Sequence, residues 1–409
     1  MPILLEEDYN IKLPKMYKVK QSFEKDKLDD IESTIRAEIS NERIKSKIIK
    51  GQKIAIAVGS RGIRNISKIV KSVIDEIKLA GGEPFIVSAM GSHGGGSEEG
   101  QREILAGYGI VEETMGVKVI TKTDVVEIGK TKRGINIYFD KTAYEADMII
   151  PINRVKLHTD FVADIQSGLC KMLVIGLGNH KGCSSVHEED FDHFGEVLKE
   201  AATMIMEKVN VGFGVAILEN AYDQTSLIKA IPSETLIEEE IKLVKIAKRN
   251  MPTLMIPEID ILIVEEIGKN ISGAGFDPNI LGKSYILHEF VLEVPKINRM
   301  ILLDISKESH GNGIGMGVFD IITRKVFEQL DFESIYANGI AVKCIDDCKI
   351  PLIANDEEEA IKIAIKVLRG ADINNLKIVK IKNTLELEYI EVSGPLLGYV
   401  SENNKLDLV

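Results

Sequence analysis

The feature that most constrains this chain is an order of apolar run, polar loop and amphipathic stretch that occurs twice in succession near its start. KIAIAVG (residues 53–59) is long enough for a strand, too short for a helix and has no polar face, so it predicts a strand covered on both sides. SRGIRN (60–65) follows as a loop. From Ile66 to Leu79 apolar residues recur at helical spacing, until Gly81-Gly82 stops them. PFIVSAM (84–90) predicts a second buried strand and GSHGGG (91–96) a second loop. Ser97-Glu98-Glu99 then predicts the start of a helix running towards Tyr108. Strand, loop and helix in this repeated order specify a parallel sheet with crossover helices. Ligands of such sheets lie in the loops beyond the carboxyl ends of the strands.

Further along, the same reasoning places a helix over 23–39, short strands near 117–120 and 135–138, and a strand running into a polar loop at 147–158. It places a buried helix or apolar turn over 167–182, a helix over 189–209, a strand over 212–220 and a charged helix from 233 to about 249. The last ends at Asn-Met-Pro, where a domain boundary is expected, dividing the chain into 1–250 and 251–409. The second half repeats the class of pattern, with strands at 258–268 and 299–306, a helix at 357–368 and two terminal strands. The expected fold is α/β, in two domains, each a mostly parallel sheet flanked by helices, with the active site in the interdomain cleft.

Composition excludes several classes. Of 409 residues, 44% are hydrophobic and 28% charged, which rules out disordered and collagen-like chains. The net charge of −12, with no long basic block, argues against a nucleic-acid partner. No apolar run reaches the roughly 18 residues of a membrane span. The start, MPILLEEDYNIKL, lacks the basic residues and apolar core of a signal peptide. Four cysteines are too few for a disulfide scaffold, so a soluble protein of the reducing cytoplasm is expected.

Five of the seven histidines (His93, His158, His180, His187 and His193) fall in the first half, most of them beside strand-end loops. A lone histidine is usually a surface or satisfied core residue, but loops at one sheet edge converge in space. Three chemistries suit such a cluster. A zinc hydrolase lacks its HExxH or HxH spacing here. A nucleotide-binding module would use GSHGGG as a phosphate cradle, although neither dinucleotide nor P-loop spacing is present. Inversion at a carbon centre needs a proton or hydride acceptor on each face, which two histidines on separate loops can supply.

Taken in order, SRGIRN, GSHGGGSEE, KLHTDFVADIQSGLCKMLVIG and His187, sixteen residues after Lys171, resemble the nickel-dependent lactate racemase family. The resemblance implies an isomerase acting on a small 2-hydroxyacid, by hydride transfer to a nickel-pincer nucleotide tethered through a thioamide to lysine. It implies that Lys171 is the tether, His187 the nickel ligand, and His93 and His158 the acid/base pair. Gly94, Gly95 and Gly96 would cradle the cofactor. Arg64, or else Arg61, would hold the substrate carboxylate, with Asn279 and Lys283 the nearest counterparts of the family's second-domain substrate contacts. Arg61 stands where the family has an acid, which blurs the arginine role, while the absence of Trp to line the site and of a clean match to the second-domain contacts implies a 2-hydroxyacid other than lactate, or a divergent relative. Residues 1–250 would then form the cofactor-binding and catalytic domain, and 251–409 a domain that closes over substrate. Enzymes that synthesise the cofactor are implied as maturation partners, and a homodimer is left open. The alternative is a non-catalytic nucleotide- or metal-binding protein of the same fold. Cys344 and Cys348 have no partner pair for metal ligation and are read as a thiol pair, and His310 as a structural residue or a second-domain substrate contact.

Overall fold

A computed structural model describes residues 4–60, 62–370 and 372–409. Its first strand, β1 (Met16–Gln21), does not join the strands that follow it in sequence. The chain divides into two compact units, Lys25–Met251 and a second made of the residues up to Glu24 together with Pro252–Val409. Sequence reading assigns everything before 251 to one domain. The structure gives residues 4–24 to the other, because β1 finds its backbone partners in antiparallel strands near the C-terminus.

The unit Lys25–Met251 contains β2 (Lys53–Val58), β3 (Glu83–Ser88), β4 (Val119–Ile120), a hairpin of β5 (Val125–Lys130) and β6 (Asn136–Asp140), then β7 (Met148–Arg154), β8 (Phe213–Glu219) and β9 (Thr225–Pro232). The main sheet has the order β4-β3-β2-β7-β8-β9, parallel except for the antiparallel β8–β9 pair. Residues 54–58 of β2 are all buried, as expected of a strand covered on both faces. Ile54, Ile56 and Val58 share a core with Ile69, Val70, Val73, Ile74 and Ile77 of helix Ile66–Leu79 and with Ile31, Ile35 and Ile39 of helix Ile31–Ser40. Each such side chain contributes about 1.5–3 kcal/mol relative to exposure. The second helix starts later than its sequence suggests, at Asp30, whose carboxylate accepts the Ser33 N–H at 3.1 Å.

The apolar segment after β7 folds as one α-helical turn, Leu169–Lys171, that widens over Met172–Gly176. There the Leu177 N–H reaches the Met172 carbonyl at 2.8 Å, five residues back. Helix Asn179–Val186 follows, then helix Phe191–Lys208. The Gly91 N–H donates to the Gly176 carbonyl at 3.0 Å, tying the loop after β3 to this widened turn. A Cβ at Gly176 would lie 2.7 Å from the Ala89 carbonyl oxygen, so the approach requires glycine.

The other unit contains β10 (Glu258–Ile267), β11 (Lys296–Ile305), β12 (Ile321–Thr323), β13 (Leu352–Ala354), β14 (Ile378–Ile381), β15 (Tyr389–Ser393) and β16 (Leu406–Leu408). With β1 they form one sheet, β13-β12-β11-β10-β14-β15-β1-β16, parallel from β13 to β14 and antiparallel beyond. Helix Glu357–Val367 packs Ile361, Ala364 and Ile365 into the core formed with Ile261, Ile263 and Ile301. Among the described residues no helix is long and apolar enough to cross a membrane.

Candidate active site

In the first sheet the chain leaves β2 towards β3 and β4 on one side, and β7 leads to β8 on the other. The order reverses between β2 and β7, and at such a point the strand-end loops part and leave a crevice. The loops after β2, β3 and β7 meet at this edge.

Each loop brings a polar group. Ser60, after β2, places its Oγ against Nδ1 of His93, after β3. The Ser60 carbonyl accepts the Tyr108 hydroxyl at 2.5 Å, which fixes the serine backbone. His158, after β7, stacks on Phe161 with ring centres 4.4 Å apart and planes 29° apart. Its Nδ1 accepts the Asp160 backbone N–H at 3.0 Å, and the His158 backbone N–H donates to Gln166 Oε1 at 2.8 Å. A backbone N–H can only donate, so Nδ1 carries the lone pair and the neutral ring holds its proton on Nε2. The ring's Nε2 meets Lys171 Nζ. Lys171 is half-buried, with Nζ 5.9 Å from the Phe161 ring centre.

His187 follows helix Asn179–Val186. Its Nδ1 lies 2.7 Å from the Cys183 carbonyl and 3.5 Å from Cys183 Sγ. A carbonyl only accepts, so Nδ1–H is the donor and the neutral ring presents its lone pair at Nε2, the arrangement that suits a metal-binding imidazole. Burial works to raise the Cys183 thiol, but His187 and Ser92 outweigh it and hold it below the usual thiol range. Burial works to lower His187, and the Cys183 contact raises it above the ordinary imidazole value. Ser92 Oγ is 3.7 Å from Cys183 Sγ, which connects the His93 loop to His187. Phe194 completes the circuit, 5.0 Å from Phe161 and 5.2 Å from His187.

Gly94, Gly95 and Gly96 have φ of +66°, +64° and +65°. Three successive left-handed residues come at low cost only from glycine. A Cβ on Gly96 would touch the His180 side chain at 3.1 Å, so this loop lies against the helix that leads to His187. Ser97 caps the following helix, Glu98–Gly107, accepting the Gly100 N–H at 3.1 Å.

The structure thus brings His93, His158, Lys171, His187 and the glycine loop to one edge. Arg64 has an exposed side chain, and its N–H donates to Glu219 Oε1 at 2.7 Å. Arg61 lies outside the described residues. Asn279 and Lys283 belong to the other unit. Asn279 is buried in the short helix Pro278–Leu281, with Nδ2 donating to Asp277 Oδ1 at 3.2 Å, and half-buried Lys283 follows Gly282. His310 is exposed in that unit, and His193 pairs with Glu196 at 3.6 Å. Cys344 is buried, and Cys348 Sγ is 3.6 Å from the Ile335 carbonyl. Ser60, Phe161, Cys183 and Phe194 were not singled out from sequence. The one available signal was the four-residue spacing of Cys183 and His187, which puts both on one helical face. Among the described residues, no group of three or more His, Cys, Asp and Glu gathers to hold a metal ion.

Fold and site together define an α/β protein with a histidine–lysine constellation at the carboxyl edge of a parallel sheet. The family model of the lactate racemase N-terminal domain matches residues 2–197, just under half of the chain, and identifies that stretch as a domain of this kind. Its fold is similar to that of the lactate racemase apoprotein from Thermoanaerobacterium thermosaccharolyticum, with a TM-score of 0.59 and 13% identity over 91% of this chain and 99% of that one. None of the curated proteins matches the chain.

Proposed function

We propose that the chain is a racemase or epimerase of a small 2-hydroxyacid, with Lys171 tethering a nickel-pincer nucleotide and His187 completing its metal coordination. The match of residues 2–197 to the lactate racemase N-terminal domain supports the racemase class. The observation that carries the finer reading is the Lys171–His158 contact. It holds the Lys171 amine in place beside a histidine on a separate loop from His93. The donor set fits the group. His187 Nε2 is a single neutral nitrogen that would suit Ni(II) as the chain's own ligand. When bound, that group supplies the hydride acceptor for the carbon next to the carboxylate.

The chain's own residues do the rest. His158, held at Nδ1 by the Asp160 N–H, works through Nε2 as acid or base towards the substrate hydroxyl. His93, held at Nδ1 by Ser60, serves the opposite face through its other nitrogen. Arg64, or Arg61, clamps the substrate carboxylate with its guanidinium fork, and Asn279 and Lys283 are the proposed contacts from the C-terminal unit. Gly94, Gly95 and Gly96 hold the nucleotide phosphate. Enzymes that build the cofactor are the expected maturation partners.

Intact-mass and nickel measurements on protein from a cofactor-producing host test this reading. Wild type is expected to carry a covalent mass increment and nickel. Lys171→Ala should lose both, and His187→Ala should keep the mass and lose the metal. His93→Ala or His158→Ala should cost ~10²–10⁴-fold in turnover with loading retained. An adduct persisting on Lys171→Ala would place the tether elsewhere. A wild type that carries no adduct under any loading condition would favour the non-catalytic binding reading.

A further inference from the structure

Lys171 sits on a turn whose first residues need an explanation. Beneath them lies Glu240, from helix Leu236–Asn250, a carboxylate with no solvent exposure. Its Oε2 accepts the Cys170 N–H at 2.9 Å, and its Oε1 has no hydrogen-bond partner among the described residues. A Cβ at Gly168 would stand 2.5 Å from that Oε1, so the glycine three residues before Lys171 is there to admit the carboxylate. Asn153, on β7, donates from Nδ2 to the Gly168 carbonyl at 2.8 Å, pinning the same residue from the other side. Leu169 and Leu236 close over Gly214 of β8, which brings helix and turn onto the same strand.

A buried carboxylate is costly in a place where an apolar residue would pack. Burial pushes Glu240 up to about 7, and burial together with Glu240 pushes the Cys170 thiol up. What the carboxylate returns is local. The opening N–H groups of a helical turn have no partners within the turn, and an acidic group there satisfies one and favours the positive end.

We propose that Glu240 is a positioning residue for Lys171: by holding the Cys170 amide across Gly168 it fixes the backbone from which the Lys171 amine reaches His158. This rests on the reading of Lys171 as the tether, but it is testable in cofactor-free protein. Trace acetylation with acetic anhydride, read by peptide mass spectrometry, compares Lys171 with the exposed Lys181 in the same sample. The proposal takes the held amine to be uncharged against His158, so in wild type at pH 7 Lys171 should label faster than Lys181, with a flatter rise as pH increases.

Glu240→Leu, which removes the acceptor for the Cys170 N–H, should lower the Lys171:Lys181 ratio by about tenfold and give Lys171 the steep pH profile of a surface lysine. Gly168→Ala, which keeps the carboxylate but displaces it, should shift both in the same direction. A fall in melting temperature with ratio and pH profile unchanged to within about twofold would overturn the proposal, since a purely structural residue behaves that way. A wild-type ratio near one would overturn it as well. Should neither variant fold, amide exchange in wild type decides. A Cys170 amide protected beyond those of residues 159–166 supports the proposal, and one exchanging as fast as they do overturns it. Failure to find an adduct on wild-type Lys171 bears on the tether and leaves the labelling result standing.

Discussion

Asp140, at the end of β6, holds the helix that leads to His187, and its substitution has a worked consequence. Oδ1 accepts the Ala143 N–H at 2.8 Å, and Oδ2 accepts from Asn179 Nδ2 at 2.8 Å. Asn179 opens helix Asn179–Val186 with φ +51°, and its buried Oδ1 has no hydrogen-bond partner among the described residues. Burial raises the Asp140 carboxyl from 3.8 to about 6. A raised folded-state value in an acid means that the native state holds the proton more tightly than the unfolded one. Stability from this residue is therefore fully present below about pH 4 and lost as pH rises through about 6. A shift of roughly two units corresponds to about 3 kcal/mol. Asp140→Asn keeps the shape and the acceptor for Ala143, and its amide can donate to the Asn179 oxygen once that side chain turns over. Urea unfolding followed by circular dichroism at pH 4 and pH 8 reads the difference, and carboxylates common to both proteins cancel. Wild type should lose about 3 kcal/mol more than the variant between the two pH values. Equal pH dependence, or a larger loss in the variant, would refute the argument that the buried charge is the cost.

Two further substitutions follow from packing. Gly100→Ala puts a Cβ 2.1 Å from the Gly94 carbonyl oxygen, backbone against backbone, and should cost at least about 2 kcal/mol in thermal or urea unfolding. Gly107→Ala in the same helix meets nothing within 4 Å and should be neutral or stabilising. Phe194→Ala removes a fully buried ring that touches Phe161 and His187, and should cost about 3–5 kcal/mol by urea unfolding. The same change at half-buried Phe191 should cost less.

What could be read from the sequence was what depends on near neighbours. Helix Ile66–Leu79 is legible residue for residue, because its apolar spacing and its Gly-Gly stop are both local. β2 and β3 are legible because buried parallel strands need unbroken apolar runs. β1 was not, because MYKVKQ alternates polar and apolar like many solvent-facing segments and its partners lie some 370 residues on. Residues 167–182 could be read only as a helix or apolar turn. An apolar run with no polar stripe carries no phase, and the widened turn at Met172–Gly176 depends on contacts to Ala89 and Gly91 from another loop.

The candidate site divides in the same way. His93, His158, Lys171 and His187 carry motif spacing and could be proposed from sequence. The groups that set their protonation carry none. The Asp160 N–H that assigns the His158 proton to Nε2 is a backbone atom, which no residue type announces. The Cys183 carbonyl that frees His187 Nε2 is another. Glu240 is an ordinary member of the run Glu238-Glu239-Glu240 in a charged helix, and only its burial distinguishes it from Glu239, which pairs with Lys229 and Lys242 at 2.6 Å. Three adjacent carboxylates on a helix cannot share one face, because each residue turns about 100° from the last. One of the three faces the core, and there it meets the single residue, Gly168, without a side chain to exclude it. The glycine of Ser-Gly-x-x-Lys is therefore half of a contact whose other half, Glu240, lies far along the chain, and a motif read along the chain sees only the half it contains.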